Sequence, residues 1–251
     1  MSSLKYVDLV FNLVERDLKL KYKGSIIGFM WSLVNPLIML IIYTWVFKTI
    51  MKTNTPNFSI FLMAGLLPWN FFASTLTMSV GAFTNNASLL TKVKLPKYIL
   101  VLSNVVFNFV IFLMMIVLIL GAMKVFNVPY TLSLLYLPVA LIAQLIFMIS
   151  LSLILAISNV FFSDTSHLLE VFIMAWFWLT PVIYQFDLIP EQFQYYVSLN
   201  PMSLVINLYQ AAILGTPIYT NVLSGIIIIL VFLFLSIFLY RKYNKKISEL
   251  V

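Results

Sequence analysis

The chain has 251 residues, of which 63% are hydrophobic and only 9% are charged, and its formal net charge is +7. Soluble domains carry about 25% charged residues, so this composition excludes a soluble enzyme and requires lipid as the main solvent. The basic excess fits attraction to an anionic membrane surface, and we expect no binding to nucleic acid. With no cysteine and a single histidine, His167, disulfides and clustered metal sites are excluded as well.

Residues 1–31 are predicted to form an interfacial amphipathic helix followed by the approach to the first membrane span. Apolar side chains recur there at three- and four-residue steps, and charged or polar side chains occupy the opposite face. A helix of this kind lies in the membrane interface rather than crossing it. The predicted apolar face consists of Val7, Val10, Phe11, Val14, Leu18 and Tyr22.

Six apolar runs follow, and each is close to the 20 or so residues that a transmembrane helix needs. We place these spans near residues 32–51, 58–82, 98–122, 134–161, 168–185 and 219–240. Segment 186–218 contains three prolines, which favours two short helices that dip into the membrane from the outer side and return. The predicted fold is therefore an all-α integral membrane protein, in which residues 1–251 form a single domain of six spans and one outer re-entrant hairpin.

The distribution of lysine and arginine predicts the orientation of these spans. With six spans, most basic residues fall on one side of the membrane, and few fall on the other. The positive-inside rule assigns the basic side to the cytoplasm, so both termini are expected there. The basic side carries Lys5, Arg16, Lys19, Lys21, Lys23, Lys92, Lys94, Lys97, Arg241, Lys242, Lys245 and Lys246.

The predicted cytoplasmic loop 83–97 contains more apolar side chains than a solvated turn needs. Leu89 and Leu90 lie next to Lys92 and Lys94, in a stretch that can form a small amphipathic helix. A docking surface for a cytoplasmic partner explains this pattern. Burial of the leucines against the chain's own interfacial helix is the alternative.

Few charged groups are expected within the membrane. Asp164, His167 and Glu170 are spaced three residues apart and could form a proton relay or an ion site. We favour the alternative in which Asp164 caps the fifth span and the other two stay near the headgroups. The sequence has no Gly-x-x-x-x-Gly-Lys phosphate loop either, so the energy for any transport is expected to come from another chain.

Aromatic residues are abundant, with 22 phenylalanines, 13 tyrosines and 5 tryptophans. Amphipathic rings within spans can line a path for an amphipathic polymer such as a sugar chain, although helix packing is the alternative for any one of them. The candidates for such a path, in and near the first and fifth spans, are Tyr43, Trp45, Trp176, Trp178 and Tyr184.

Three segments resemble one known family. Residues 15–37 read ERDLKLKYKGSIIGFMWSLVNPL, residues 178–184 read WLTPVIY, and Leu199-Asn200-Pro201 precedes an apolar stretch that ends near Gly215. These segments resemble the permease subunits of ATP-binding-cassette exporters for cell-surface polysaccharides such as O-antigen and teichoic acid. Ser163-Asp164 departs from the Arg-Asp pair that many members have near the end of the fourth span.

The resemblance implies a homodimeric pore, in the bacterial inner membrane, driven by two cytoplasmic ATPase subunits that bind ATP and magnesium. This chain would then need no cofactor and would not be an enzyme by itself. Its substrate would be a polysaccharide linked to undecaprenyl pyrophosphate and moved outward. In the loop 83–97, the resemblance assigns coupling to the ATPase to Leu89, Leu90, Lys92 and Lys94.

The basic residues before the first span have two possible roles. Arg16, Lys19, Lys21 and Lys23 can anchor the chain at anionic headgroups, or some of them can bind the pyrophosphate of the lipid carrier.

Two other functions remain as alternatives to the exporter. A membrane enzyme for lipid-linked sugars would need catalytic groups, and the outer loops offer only Asp187 and Glu191. An ion-coupled carrier would need more charges within the membrane.

Overall fold

The computed structural model describes residues 2–21, 23, 28–50, 52, 56–93 and 95–250. Within these ranges every regular element is a helix, which confirms the all-α class. A π-helical segment, Val46–Ile50, extends the second helix. The α-helices are α1 (Ser2–Lys21), α2 (Trp31–Trp45), α3 (Phe58–Val80), α4 (Ala87–Lys92), α5 (Tyr98–Val125), α6 (Tyr136–Phe161), α7 (Thr165–Trp178), α8 (Glu191–Leu199), α9 (Pro201–Leu214) and α10 (Val222–Leu250).

Four helices are long and apolar enough to cross a membrane, namely α3, α5, α10 and α6 together with the turn before it. They correspond to the predicted second, third, fourth and sixth spans. The predicted first and fifth spans are represented by shorter helices, α2 with its π-helical extension and α7. The 14 residues of α7 measure about 21 Å, less than the roughly 30 Å of a hydrocarbon core. The described residues thus support four spans, or five if the bent pair α8–α9 counts as one, and six spans remain a prediction.

The continuous helix predicted over 168–185 is interrupted after Trp178. Pro181 has no backbone N–H and disfavours helical geometry at the preceding residue, Thr180. The last carbonyl groups of a helix have no backbone N–H partner within it. The Thr180 hydroxyl donates to one of them, the Trp176 carbonyl, at 2.8 Å. Residues 179–185, the last part of the predicted fifth span, are therefore not part of the helix.

The centre of the bundle is α3, which packs against α2, α5, α6, α7 and α9. A buried polar junction connects three of these helices. The Gln144 side chain of α6 donates from Nε2 to the Pro68 carbonyl of α3 at 2.8 Å, and its Oε1 accepts from the Tyr209 hydroxyl of α9 at 2.8 Å. Because water is excluded here, these bonds satisfy groups that would otherwise be costly to bury.

The segment 186–218 contains the two short helices that its prolines predict. Helices α8 and α9 meet at an angle of 94°. Asn200 caps α9 by accepting from the Met202 backbone N–H at 3.0 Å, and Gly215 ends the helix with a φ of 68°. Nearly every residue of α9 is buried in the core, whereas α8 lies at the surface. The re-entry of this pair into a membrane remains a prediction.

Helix α1 packs along the beginning of α5. Val10 and Val14 of the predicted apolar face are buried, but Val7 and Phe11 are exposed, and Tyr22 lies outside the described residues. Part of the predicted apolar face thus packs against the protein, and the interfacial position of α1 remains a prediction. The buried side chains belong to an apolar group that we call the terminal cluster: Val10, Leu13, Val14, Ala82, Phe83, Ile99, Leu100, Val101, Phe107, Leu153, Ala156, Ile157 and Ile247.

Candidate functional site

Most of the basic side chains lie at one end of the bundle. The terminal cluster joins α1, the loop before α4 and the last turns of α10, and the Lys97 ammonium group donates to the Asn244 carbonyl between the loop and α10. The two chain ends and this loop therefore meet, as the predicted charge asymmetry requires. We call this region the basic end; its described basic residues are Arg16, Lys19, Lys21, Lys23, Lys92, Lys97, Arg241, Lys242, Lys245 and Lys246.

The four headgroup candidates differ in their contacts. Arg16 pairs with Asp17 at 2.8 Å and donates to the Asn86 side chain at 3.3 Å, which links α1 to the loop before α4. Lys19 pairs with Glu15 at 2.6 Å, and its hydrogen bond and charge lower the pKa of that carboxyl group. The Lys21 ammonium lies 5.1 Å from the centroid of the Phe107 ring, and partial burial lowers the pKa of Lys21. Lys23 is exposed.

The loop predicted to couple to an ATPase contains helix α4. Leu89 and Leu90 are half-buried and pack against the terminal cluster, which includes residues of α1. The two leucines thus have contacts within the chain, and both their docking to a partner and their burial against α1 remain predictions. Lys92 and Val93 are exposed, with 47% of Val93 accessible, and Lys94 lies outside the described residues. The surface left for a partner is thus the C-terminal end of α4.

The five aromatic channel candidates lie in two kinds of environment. Trp45 and Trp178 are largely exposed, with 59% and 62% of each residue accessible. Tyr43, Trp176 and Tyr184 pack against the main core, and the Tyr184 hydroxyl donates to the Trp178 carbonyl at 2.8 Å. The two exposed tryptophans therefore offer the most surface to a ligand or to a second copy of the chain.

Asn200 connects two of the segments on which the family resemblance rests. Its Oδ1 accepts from the indole Nε1 of Trp176 at 2.9 Å, and its Nδ2 donates to the Thr180 hydroxyl at 2.9 Å. The same side chain caps α9. The end of α7 and the start of α9 are consequently held by one amide, a contact that the sequence spacing of 20 to 24 residues does not reveal.

The acidic candidates at the start of α7 do not form a buried site. Asp164 occupies the N-cap position, as predicted, but its side chain makes no capping hydrogen bond. His167 and Glu170 are exposed beside it. Phe161, shortly before α7, packs against Tyr243 of α10, with 5.1 Å between the centroids of the two rings. This contact places the start of α7 at the basic end. Among the described residues no group of three such side chains could hold a metal ion.

A family model described as ABC-2 type transporter matches residues 8–214. The chain belongs to this family. The match runs from α1 to the last residue of α9 and includes all three segments that carried the resemblance, which is thereby confirmed. Membership makes the chain a multi-pass membrane protein and implies an ABC ATPase as its partner.

Similar proteins include permeases from Klebsiella pneumoniae and Myxococcus xanthus. Two from Klebsiella pneumoniae, both named O-antigen export system permease protein RfbA, are 37% identical over 200 residues and 35% identical over 241 residues. These alignments cover 79% and 94% of this chain and 77% and 93% of the relatives. The protein of the same name from Myxococcus xanthus is 35% identical over 209 residues, which cover 82% of this chain and 80% of the relative. All three are named permeases, which is consistent with a transporter subunit rather than an enzyme.

Proposed function

We propose that this chain is the membrane subunit of an ATP-driven exporter that moves lipid-linked O-antigen outward across the bacterial inner membrane. The observation that carries this proposal is the similarity, over nearly the full length, to permeases named for O-antigen export. The substrate is a polysaccharide on undecaprenyl pyrophosphate. Two copies of the chain, each a single domain of residues 1–251, form the pore. Two separate cytoplasmic subunits bind ATP with magnesium and hydrolyse it.

The basic end supports the cytoplasmic placement of both termini, because positive side chains favour the cytoplasmic side. The exposed end of α4 lies there, where it can contact an ATPase. The same end presents Arg16, Lys19, Lys21 and Lys23 to the pyrophosphate of the carrier. Arginine suits this role best, because its planar guanidinium forms paired hydrogen bonds with phosphate oxygens.

Substrate-stimulated ATP hydrolysis tests the function. We expect lipid-linked O-antigen to stimulate hydrolysis by the complex of this chain with its ATPase in lipid nanodiscs. Arg16→Ala should raise the glycolipid concentration for half-maximal stimulation about ten-fold, because it removes a charge-assisted hydrogen bond to phosphate. Arg241→Ala, which removes another exposed arginine from the basic end, is the matched control.

The two results separate the function from the role of Arg16. A wild-type complex that no lipid-linked glycan stimulates would contradict the exporter proposal. Stimulation with an unchanged half-maximal concentration in Arg16→Ala, accompanied by reduced membrane insertion, would assign this residue to anchoring.

The proposed path for the glycan runs along α2 and α7 in the dimer. A sliding polymer needs several weak sites, and contacts with aromatic rings are weak enough to exchange. Single cysteines along 36–48 and 172–184 can be probed with a water-soluble thiol reagent during turnover, since the native chain has no cysteine. We expect labelling at positions 45 and 178, with a helical period over 36–45 and over 172–178. If neither segment is labelled while single cysteines placed along α5 and α6 are, the path lies elsewhere.

A further inference from the structure

The last helix, α10, is the least covered of the four helices that are long and apolar enough to cross a membrane. In its most apolar stretch 17% of the residues are buried, whereas 39–78% are buried in the other three helices. Helix α10 packs against α6 and α9, and its buried residues Gly225, Ile229 and Ser236 lie on one side. We call the opposite, exposed side the outward face; its residues are Ile227, Val231, Phe234, Phe238, Arg241, Lys242 and Lys245.

The outward face changes from apolar to basic within one helical turn. At 3.6 residues per turn, its seven side chains fall within roughly one third of the helix circumference. The exposed ring of Phe238 is followed by Arg241 and Lys242, which are also exposed. Helix α10 has four basic residues and a single acidic one, Glu249. The face therefore combines a long apolar surface with a net positive charge at one end.

The length of the apolar part places this change at the depth of the lipid headgroups. The stretch 222–240 has no charged side chain and is about 28 Å long as a helix. A hydrocarbon core is about 30 Å thick, so the basic residues begin where the core ends. Tyr240 packs against Tyr98 of α5 at this level, with 5.9 Å between the ring centroids, and tyrosine is enriched at membrane interfaces.

The basic side chains surround one position on the helix surface. Lys245 follows Arg241 by four residues and Lys242 by three, so it is one turn away from both. The Lys242 ammonium lies 5.9 Å from the centroid of the Phe238 ring and 5.3 Å from that of Tyr243, contacts that hold it beside the helix. Together with the planar fork of Arg241, these ammonium groups match the oxygens of a phosphate.

We propose that the outward face of α10 binds an anionic glycerophospholipid, with its phosphate at the three basic residues and an acyl chain along the apolar part of the face. The inference concerns the lipid around the transporter and does not depend on the glycan that it moves. A soluble partner can reach the basic residues, but it would leave Phe234, about 10 Å deeper, in contact with lipid. A second copy of the chain would bring two sets of like charges together, which is unfavourable.

Quenching by brominated lipids next to α10 tests this site. Leu235→Cys, at an exposed position beside the outward face, carries a bimane fluorophore in the full chain with its ATPase in lipid nanodiscs. We expect dibrominated phosphatidylglycerol to bind there about ten-fold more tightly than dibrominated phosphatidylcholine, because several basic residues attract the anionic headgroup. Leu113→Cys is the matched reference, since it is exposed on an uncharged stretch of α5, and both lipids should bind there equally.

Charge removal then identifies the residues that cause the preference. Arg241→Gln combined with Lys242→Gln and Lys245→Gln should reduce the preference at position 235 to the value at position 113. Lys245→Gln alone should reduce it about two-fold, which keeps the test available if the triple variant does not assemble. Lys124→Gln removes one exposed charge at the end of α5 and should leave the preference unchanged.

Each outcome supports or overturns the site. A preference at position 235 that is absent at position 113 and is lost in the triple variant supports it. Equal binding of the two lipids at position 235, or the same preference at both positions, would overturn it. Lack of quenching by either lipid at position 235 would show that protein covers the face. Relief of quenching by polyprenyl phosphate at a concentration equal to that of phosphatidylglycerol would assign the face to the lipid carrier instead.

Discussion

Gly65→Ala will prevent normal assembly of the bundle, because α3 has no room for a methyl group at this position. A Cβ atom on Gly65 would lie 2.1 Å from the Val182 carbonyl oxygen and 3.0 Å from its carbon. Both are backbone atoms, so rotation of a side chain cannot relieve the overlap. Overpacking of a core usually lowers the free energy of unfolding by about 1–3 kcal/mol. Because the overlap here involves backbone atoms of the central helix, we expect a loss of about 3 kcal/mol or more.

The damage should extend to α7 and α9. Movement of Val182 away from α3 displaces Thr180, whose hydroxyl accepts from Asn200 at the start of α9. Thermal unfolding of the purified protein, followed by size-exclusion chromatography, should show a lower midpoint and less monodisperse protein. Gly121→Ala is the control, since no heavy atom lies within 4 Å of its added Cβ and alanine favours helix. Equal unfolding midpoints for the two variants would contradict this close approach of α3 and residue 182.

The sequence predicted the spans that are apolar throughout and free of late prolines. It failed where an apolar run continues past the end of a helix. Residues 168–185 remain hydrophobic through Trp178 and Val182, so hydropathy cannot separate α7 from the buried non-helical backbone after it. Pro181 marks the break locally, whereas the position of the segment after it depends on contacts with Gly65 and Asn200. For the same reason, composition could not indicate that α9 belongs to the core.

The location of the charged residues of the candidate site could be predicted from the sequence, but the contacts of its apolar side chains could not. The positions of lysine and arginine along the chain sufficed to predict a basic end. Whether Leu89 and Leu90 face a partner or their own chain was left open, because the terminal cluster that they pack against is assembled from residues far apart in the sequence.

Lys92→Glu combined with Val93→Asp will separate ATP hydrolysis from export. Both side chains are exposed at the end of α4, where the described structure gives them no role in the core. Charge reversal and a buried carboxylate at a protein interface are both unfavourable, so the contact with the ATPase should weaken. We expect export of surface polysaccharide to fall at least about ten-fold while the ATPase subunits still hydrolyse ATP. These positions test coupling more cleanly than Leu89→Pro, because Leu89 also packs against the terminal cluster.

Lys245→Glu provides the matched control, since it reverses an exposed charge at the basic end on α10 rather than on α4. It should leave export close to the wild-type level if α4 is the specific contact. Thermal unfolding of the double variant should match that of the wild type, because neither Lys92 nor Val93 is buried. Normal export by a double variant that is inserted and assembled with its ATPase would exclude the end of α4 as the coupling surface. Equal loss of export in Lys245→Glu would instead indicate that the total charge of the basic end, and not one helix, attracts the ATPase.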